Sequence, residues 1–185
     1  VSNPSHLSPI TGPNLVLRLI EPSDAAYVHG LRTDPALSRY LSPVQGGVED
    51  QRNWIVAYQQ REAAGEEFYY IIARPDGQRC GTVRIYGLED DSFIWGSWIL
   101  DSNKPRKAAL ESAVLSFGVG FDQLARTTAK VDVRVANTHA TAFYRRLGMT
   151  EVHRTDQDIF FTYARARFEA DRVELKSILQ SEDEN

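Results

Sequence analysis

Residues 127–152 read TTAKVDVRVANTHATAFYRRLGMTEV and carry two different periodicities in one short stretch. Ala129, Val131, Val133 and Val135 alternate with Thr128, Lys130, Asp132 and Arg134, which is the pattern of a strand with one buried and one wet face. From Asn137 the period changes. Ala140, Phe143, Tyr144 and Leu147 fall on one stripe of a short helix, with Asn137 or Thr138 suited to cap it and Gly148 to end it. A strand feeding directly into a capped helix points to a mixed α/β domain.

The same alternation of periods continues in both directions. Downstream, Val152 and Ile159 to Tyr163 supply two last strands, and the charged stretch from Ala164 to Gln180 reads as a surface helix. Upstream, Phe93 to Leu100 (FIWGSWIL) is a buried strand, followed by the polar loop DSNKPRK and a helix whose Leu110, Ala113, Val114, Phe117 and Phe121 share one face. Phe68 to Ala73 (FYYIIA) and Cys80 to Tyr86 (CGTVRIY) form a hairpin about Pro75-Asp76-Gly77. Leu15 to Ile20 is a first strand, and Pro22 opens a helix to about Leu31 that Asp34-Pro35 breaks. After the SPVQGG loop a second helix runs from Val48 to Gly65. Residues 1–13 read as a loose leader and 14–185 as a single domain.

A chain of 185 residues is long enough for one sizeable core. Its net charge of −4 argues against nucleic acid as a partner, because phosphate-backbone binders carry a basic excess. Cys80 is the only cysteine, which excludes an intramolecular disulfide and a multi-cysteine metal site and fits a reducing, cytoplasmic setting. No apolar run approaches the roughly 20 residues that span a bilayer, so no membrane partner is expected. No metal is expected either. A homodimer is compatible with the sequence.

Two segments could carry chemistry. In FIWGSWIL-DSNKPRK-AALESAVLSF a strand passes through a basic loop into a helix, whose N-terminal amides and dipole suit a phosphate. Lys104, Arg106 and Lys107 add charge there; taken alone they are equally solvated loop cations. In the second segment, Asn137 is a cap or a ligand contact and Tyr144 a core aromatic or a cleft residue.

In this order the two segments resemble the signature regions of the GNAT superfamily of acetyl-CoA-dependent N-acetyltransferases. Asn137, Ala140, Phe143, Tyr144, Gly148 and Met149 stand at the places of the family's N-x-x-[AS]-x-x-[FL]-Y-x-x-x-G-[FM] segment. The opening LVLRLIEPSDAAYVHGLRTDP is similar to the branch containing the ribosomal-protein N-terminal acetyltransferases. The resemblance spans about residues 14 to 163 and implies a mixed, mostly antiparallel sheet, splayed between central strands to admit acetyl-CoA and flanked by helices. It departs from the family in the loop Asn103-Lys104-Pro105-Arg106-Lys107-Ala108, which has no glycine to bring bare backbone to a pyrophosphate. Either the three cations compensate, or CoA binds weakly.

The resemblance implies transfer of an acetyl group to a primary amine, with Tyr144 as general acid beside the thioester sulfur. Trp98, Ile99, Leu100, Lys104, Arg106, Lys107, Ala108 and Asn137 are then the cofactor contacts. Arg39, Tyr40, Arg84 and Tyr86 are expected at the acceptor. Gly81 to Tyr86 and Trp95 to Leu100 with the glycine-poor loop resemble a branch acting on sugars, so the small-molecule acceptor expected is an amino sugar carried on a nucleotide. A protein N-terminal amine, or a non-catalytic GNAT-like binding module, are the alternatives. Glu67, Asp90, Asp91, His29 and His153 all stand open as the base.

Overall fold

The computed structural model describes residues 6–181. Its strands are β1 (Ile10–Thr11), β2 (Val16–Leu19), β3 (Phe68–Ala73), β4 (Arg79–Tyr86), β5 (Ser92–Leu100), β6 (Thr128–Arg134), β7 (Thr150–Arg154) and β8 (Asp158–Ala164). They form one eight-stranded sheet in the order β1-β2-β3-β4-β5-β6-β8-β7. Every neighbouring pair is antiparallel except β5 with β6. The helices are α1 (Ala25–Thr33), α2 (Pro35–Ser38), α3 (Val48–Ala63), α4 (Ala108–Gly118), α5 (Thr138–Leu147) and α6 (Arg165–Gln180). This is the mixed, mostly antiparallel architecture expected from the sequence.

The sheet has a core on each face. Trp95, Phe117, Phe121, Tyr163 and Phe168 belong to the larger one, under α4 and α6. Ile20, Val28, Ile55, Tyr58, Tyr69 and Ile71 make the smaller one, under α1 and α3. Strand β3 feeds both: Tyr70 and Ile72 point to one core, Tyr69 and Ile71 to the other, so all six of its residues are buried. That is why FYYIIA is continuously apolar where β6 alternates.

Three local readings change. Residues 6–13, taken from sequence as part of a loose leader, are held in place, while 1–5 lie outside the described residues. Leu7 is buried and its carbonyl accepts from Tyr70 Oη at 2.8 Å, Ser8 Oγ accepts from Leu19 N at 3.0 Å, and β1 pairs with β2. Pro22 opens a 3-10 turn that leads into α1 rather than the helix itself. After Asp34 the chain makes one further turn, α2, because the Asp34 side chain accepts from Ala36 N at 2.9 Å and caps it.

Candidate active site

Strands β5 and β6 pair only over Ser92–Thr128, Phe93–Ala129 and Ile94–Lys130. Beyond that point β5 stays with β4 as far as Leu100 and β6 stays with β8 as far as Arg134, so a gap opens between them. The Asp101 N–H bonds Cys80 O at 2.8 Å on the β4 side. Its neighbour Leu100 therefore turns its own N–H and C=O to the other edge, toward the gap.

A bulge in β5 equips this opening. Thr82 pairs with Ile99 but Arg84 pairs with Gly96, so one extra residue is inserted, and Ser97 takes the left-handed conformation at φ 49°. In a regular strand Trp95 and Trp98 would face opposite sides, since they are three apart. The inserted residue returns both to the α4 side, where Trp95 Nε1 donates to Ser116 Oγ (2.8 Å) and Trp98 Nε1 to Ser112 Oγ (3.0 Å). Ser112 and Ser116 are one helical turn apart and so receive the two indoles in sequence.

A cleft of about 380 Å³ passes through the gap. On the α5 side it is lined by Trp98, Asn137, Ala140 and Tyr144; on the α1 side by Arg84, Tyr86, Gly96 and Asp132, with Tyr40 and Leu41 above them. Tyr144 is 6% exposed and its ring sits edge-on to Trp95 at 5.9 Å. Its hydroxyl has no hydrogen-bond partner among the described residues. Burial, with the nearby Asp132 charge, holds the Tyr144 phenol well above its ordinary range, so it is protonated at neutral pH. Burial and Asp132 also raise Tyr86, against the opposing charge of Arg84.

The expected cofactor and acceptor residues divide into groups. Trp98 lines the cleft, with Ile99 and Leu100 continuing β5 beside it. Asn137 also lines it, while its side chain accepts from Ala140 N at 3.2 Å, so capping and cleft position coincide. Ala108 starts α4 and is buried. Lys104 and Arg106 are exposed in the preceding loop. Lys107, in the left-handed conformation at φ 61°, is committed elsewhere: its ammonium donates at 2.8 Å to Ile178 O and Ser181 O, the C-terminal carbonyls of α6. A lysine there satisfies orphan helix carbonyls, which explains its charge without a phosphate. Arg84, Tyr86 and Tyr40 reach the cleft; Arg39 lies in a neighbouring cavity and stacks on Tyr40 at 5.0 Å.

None of the five open base candidates lines the cleft. Glu67 is buried between Arg61 and Arg84, accepting from Arg84 Nε at 2.8 Å. His29 faces Gly46 O at 3.1 Å, His153 packs on Phe160 at the sheet edge, and the Asp91 carbonyl accepts from Thr127 N. Two carboxylates do line the cleft, Asp132 and Asp158. Asp158 lies 3.6 Å from Arg134, whereas Asp132 has no hydrogen-bond or ion-pair partner among the described residues. Asp132 was visible in the sequence only as a wet position of β6. The signal that singles it out is register: it is two residues past the last β5–β6 pair, as Gly96 is on β5, and Gly96 pairs with Arg84. A glycine in mid-strand between an arginine and an aspartate leaves floor space for a ligand.

The opening thus has a protonated phenol on one side and a carboxylate on the other, in a mostly antiparallel sheet splayed between β5 and β6. The chain belongs to the GNAT acetyltransferases: the family model described as an acetyltransferase (GNAT) domain matches residues 14–150. Among solved structures, apo FdhC, described as a nucleotide-linked sugar GNAT, is 33% identical, with 92% of this chain and 98% of that one covered and a TM-score of 0.85. A mutant of spermidine N-acetyltransferase SpeG from Vibrio cholerae (15% identity, 85% and 97% covered, TM-score 0.70) shares the fold. So does the ribosomal-protein-S5-alanine acetyltransferase from Vibrio fischeri (14%, 84% and 96%, 0.69). Among curated protein sequences none matches the chain. No helix of the described residues is long and apolar enough to cross a membrane.

Proposed function

We propose that this N-acetyltransferase moves an acetyl group from acetyl-CoA to the primary amine of an amino sugar carried on a nucleotide. The observation that carries the reading is the row Arg84, Gly96, Asp132: a glycine floor with a hydrogen-bonding cation on one side and an unpartnered carboxylate on the other. The likeness to a nucleotide-linked sugar GNAT over nearly the whole chain supports the same acceptor. The cleft is roofed by Leu37, Tyr40 and Leu41, a walled pocket that suits a compact ring better than an extended peptide.

Acetyl-CoA supplies a thioester, and the gap beside Trp98 and Leu100 with the N-terminus of α4 is where this chain fits it. The Leu100 N–H is a donor for the pantetheine arm or the carbonyl oxygen. Asp132 takes one proton from the acceptor ammonium, and the freed nitrogen lone pair attacks the thioester carbonyl, forming the C–N bond as the C–S bond breaks. Tyr144, neutral because of its burial, gives its proton to the departing sulfur and is reprotonated by the second proton that the nitrogen sheds as the amide forms.

Thiol release with acetyl-CoA tests this against nucleotide-linked amino sugars, free amino sugars, spermidine and an alanine-initiated peptide. Nucleotide-linked amino sugars should turn over fastest, and turnover of the peptide alone, or of nothing, overturns the reading. Asp132→Asn should lower kcat by about 10²-fold or more with an unchanged melting temperature, as loss of a general base does. An unchanged kcat would remove Asp132 from the proton path.

A further inference from the structure

Beside the cleft lies a larger cavity of about 950 Å³, walled by α2, the loop after it, the end of β6 and the β7–β8 turn. Three arginines, Arg32, Arg39 and Arg134, line it against one acidic residue, Asp156. In a chain of net charge −4 this is a local reversal of sign. Two of the three, Arg32 and Arg134, also line the cleft, together with Tyr40 and Leu41, so the threshold between the two spaces is itself cationic.

The donors at this threshold are underused. Arg32 gives one bond to Ser42 O at 3.0 Å, and its Nε is buried without a partner among the described residues. Arg134 donates to Gln157 Oε1 at 3.1 Å and lies 3.6 Å from Asp158. Arg39 is exposed, touches the Tyr40 ring, and has no anionic partner among the described residues. Guanidinium forks match phosphate oxygens in pairs, and a buried unpaired donor is a standing cost that an anion relieves.

We infer that this outer cavity is the nucleoside diphosphate subsite, with the diphosphate at the threshold on Arg32 and Arg134, Arg39 closing over it, and the nucleoside beyond. The inference rests on the nucleotide-linked acceptor proposed above, and it fixes the acceptor's polarity. The sugar amine points inward to Asp132 over Gly96, and the nucleoside points outward along the loop after α2. A volume of about 950 Å³ lies within the range of pockets that hold ligands of this size.

Calorimetry with UDP and dTDP as probes on the full chain should show binding without any acetyl donor. Arg39→Gln and Arg134→Gln should each weaken it about tenfold or more, the share of a charge-assisted hydrogen bond. In turnover, each should raise KM for the nucleotide-linked amino sugar with kcat nearly unchanged, and Arg39→Gln, at a residue outside the cleft, should leave KM for the same sugar without its nucleotide unaltered. Arg39 is exposed, so its variant keeps the test valid even where Arg134→Gln loosens β6. No heat from either diphosphate, or an Arg39→Gln enzyme with unchanged KM, overturns the subsite. Turnover of some other amine with none of nucleotide-linked sugars overturns instead the acceptor reading beneath it.

Discussion

At the scale of single residues the proposed chemistry depends on two side chains, Tyr144 and Asp132, that differ in how legible they are in the sequence. Tyr144 stands out in the sequence because the stripe Ala140, Phe143, Leu147 already supplies apolar contacts and leaves a phenol at its edge. The structure places its ring against Trp95 and Trp98 and gives its hydroxyl no partner among the described residues. Tyr144→Phe removes only that hydroxyl. It should lower kcat at the low end of the 10²–10⁴-fold range of a general acid, because a thiolate leaves fairly well unaided, with melting temperature and CoA affinity nearly intact. Since the phenol is raised by burial, no loss of activity from its ionisation should appear on the alkaline side below its ordinary pKa of about 10. A parallel fall in stability and kcat would instead make the hydroxyl structural. Asp132 could not be chosen this way. It is one of several acids at wet positions, and only the pairing of distant strands puts it level with Gly96.

At the scale of elements, β5 and its successor helix explain what sequence periodicity did and did not reveal. FIWGSWIL is legible as a buried strand, but its two tryptophans, three apart, have no common face until the bulge at Ser97 supplies one. A Gly-Ser pair inside a strand is the local sign of such a bulge, and its purpose becomes visible only with Ser112 and Ser116 in place. Gly96→Ala tests the floor that results. The added methyl would meet Tyr86 Oη at 3.5 Å, an ordinary contact, so the fold should persist while KM for the acceptor rises. An unchanged KM would mean that the acceptor does not approach the strand here. The three cations of the loop before α4, expected together at a phosphate, take different positions. Lys107 ties the loop to α6, so Lys107→Ala should cost about 0.5–1 kcal/mol and lower Tm by about 1–4 °C, with CoA affinity nearly unchanged. Lys104→Ala should do the reverse. If Lys107→Ala weakens CoA at unchanged Tm, the contact to α6 is incidental.

Over the whole molecule, the order of strands and helices was legible because each long element carries its own period, as FYYIIA and VDVRV do. What escaped was carried by contacts between distant segments. Residues 6–13 look like a leader by composition, yet Leu7 and β1 complete the sheet edge, and Asn14 N donates to the fully buried Glu111 at 2.9 Å. The same kind of long-range tie makes stability depend on pH at the acid end. Asp24, 2% exposed, receives Arg18 through two bonds of 2.8 Å, Glu21 N at 2.9 Å and Arg79 at 3.2 Å, joining β2, the turn into α1 and β4. Burial opposes the Asp24 charge, but these donors outweigh it and hold its carboxyl below the ordinary value. A group depressed in the folded state stabilises it above the unfolded pKa of about 3.9, and that contribution is lost as pH falls through the folded value. Stability should therefore drop as pH falls below about 4. Asp24→Asn should lower stability near pH 7 by about 1–3 kcal/mol, a range kept modest because both arginines are about a third exposed and screened by solvent. The variant should also have a shallower acid slope, since the titrating group is gone. Denaturant melts of both proteins at pH 7, 4 and 3 measure this directly. Parallel acid slopes in the two would assign the limit to other carboxylates and leave Asp24 with a packing role alone.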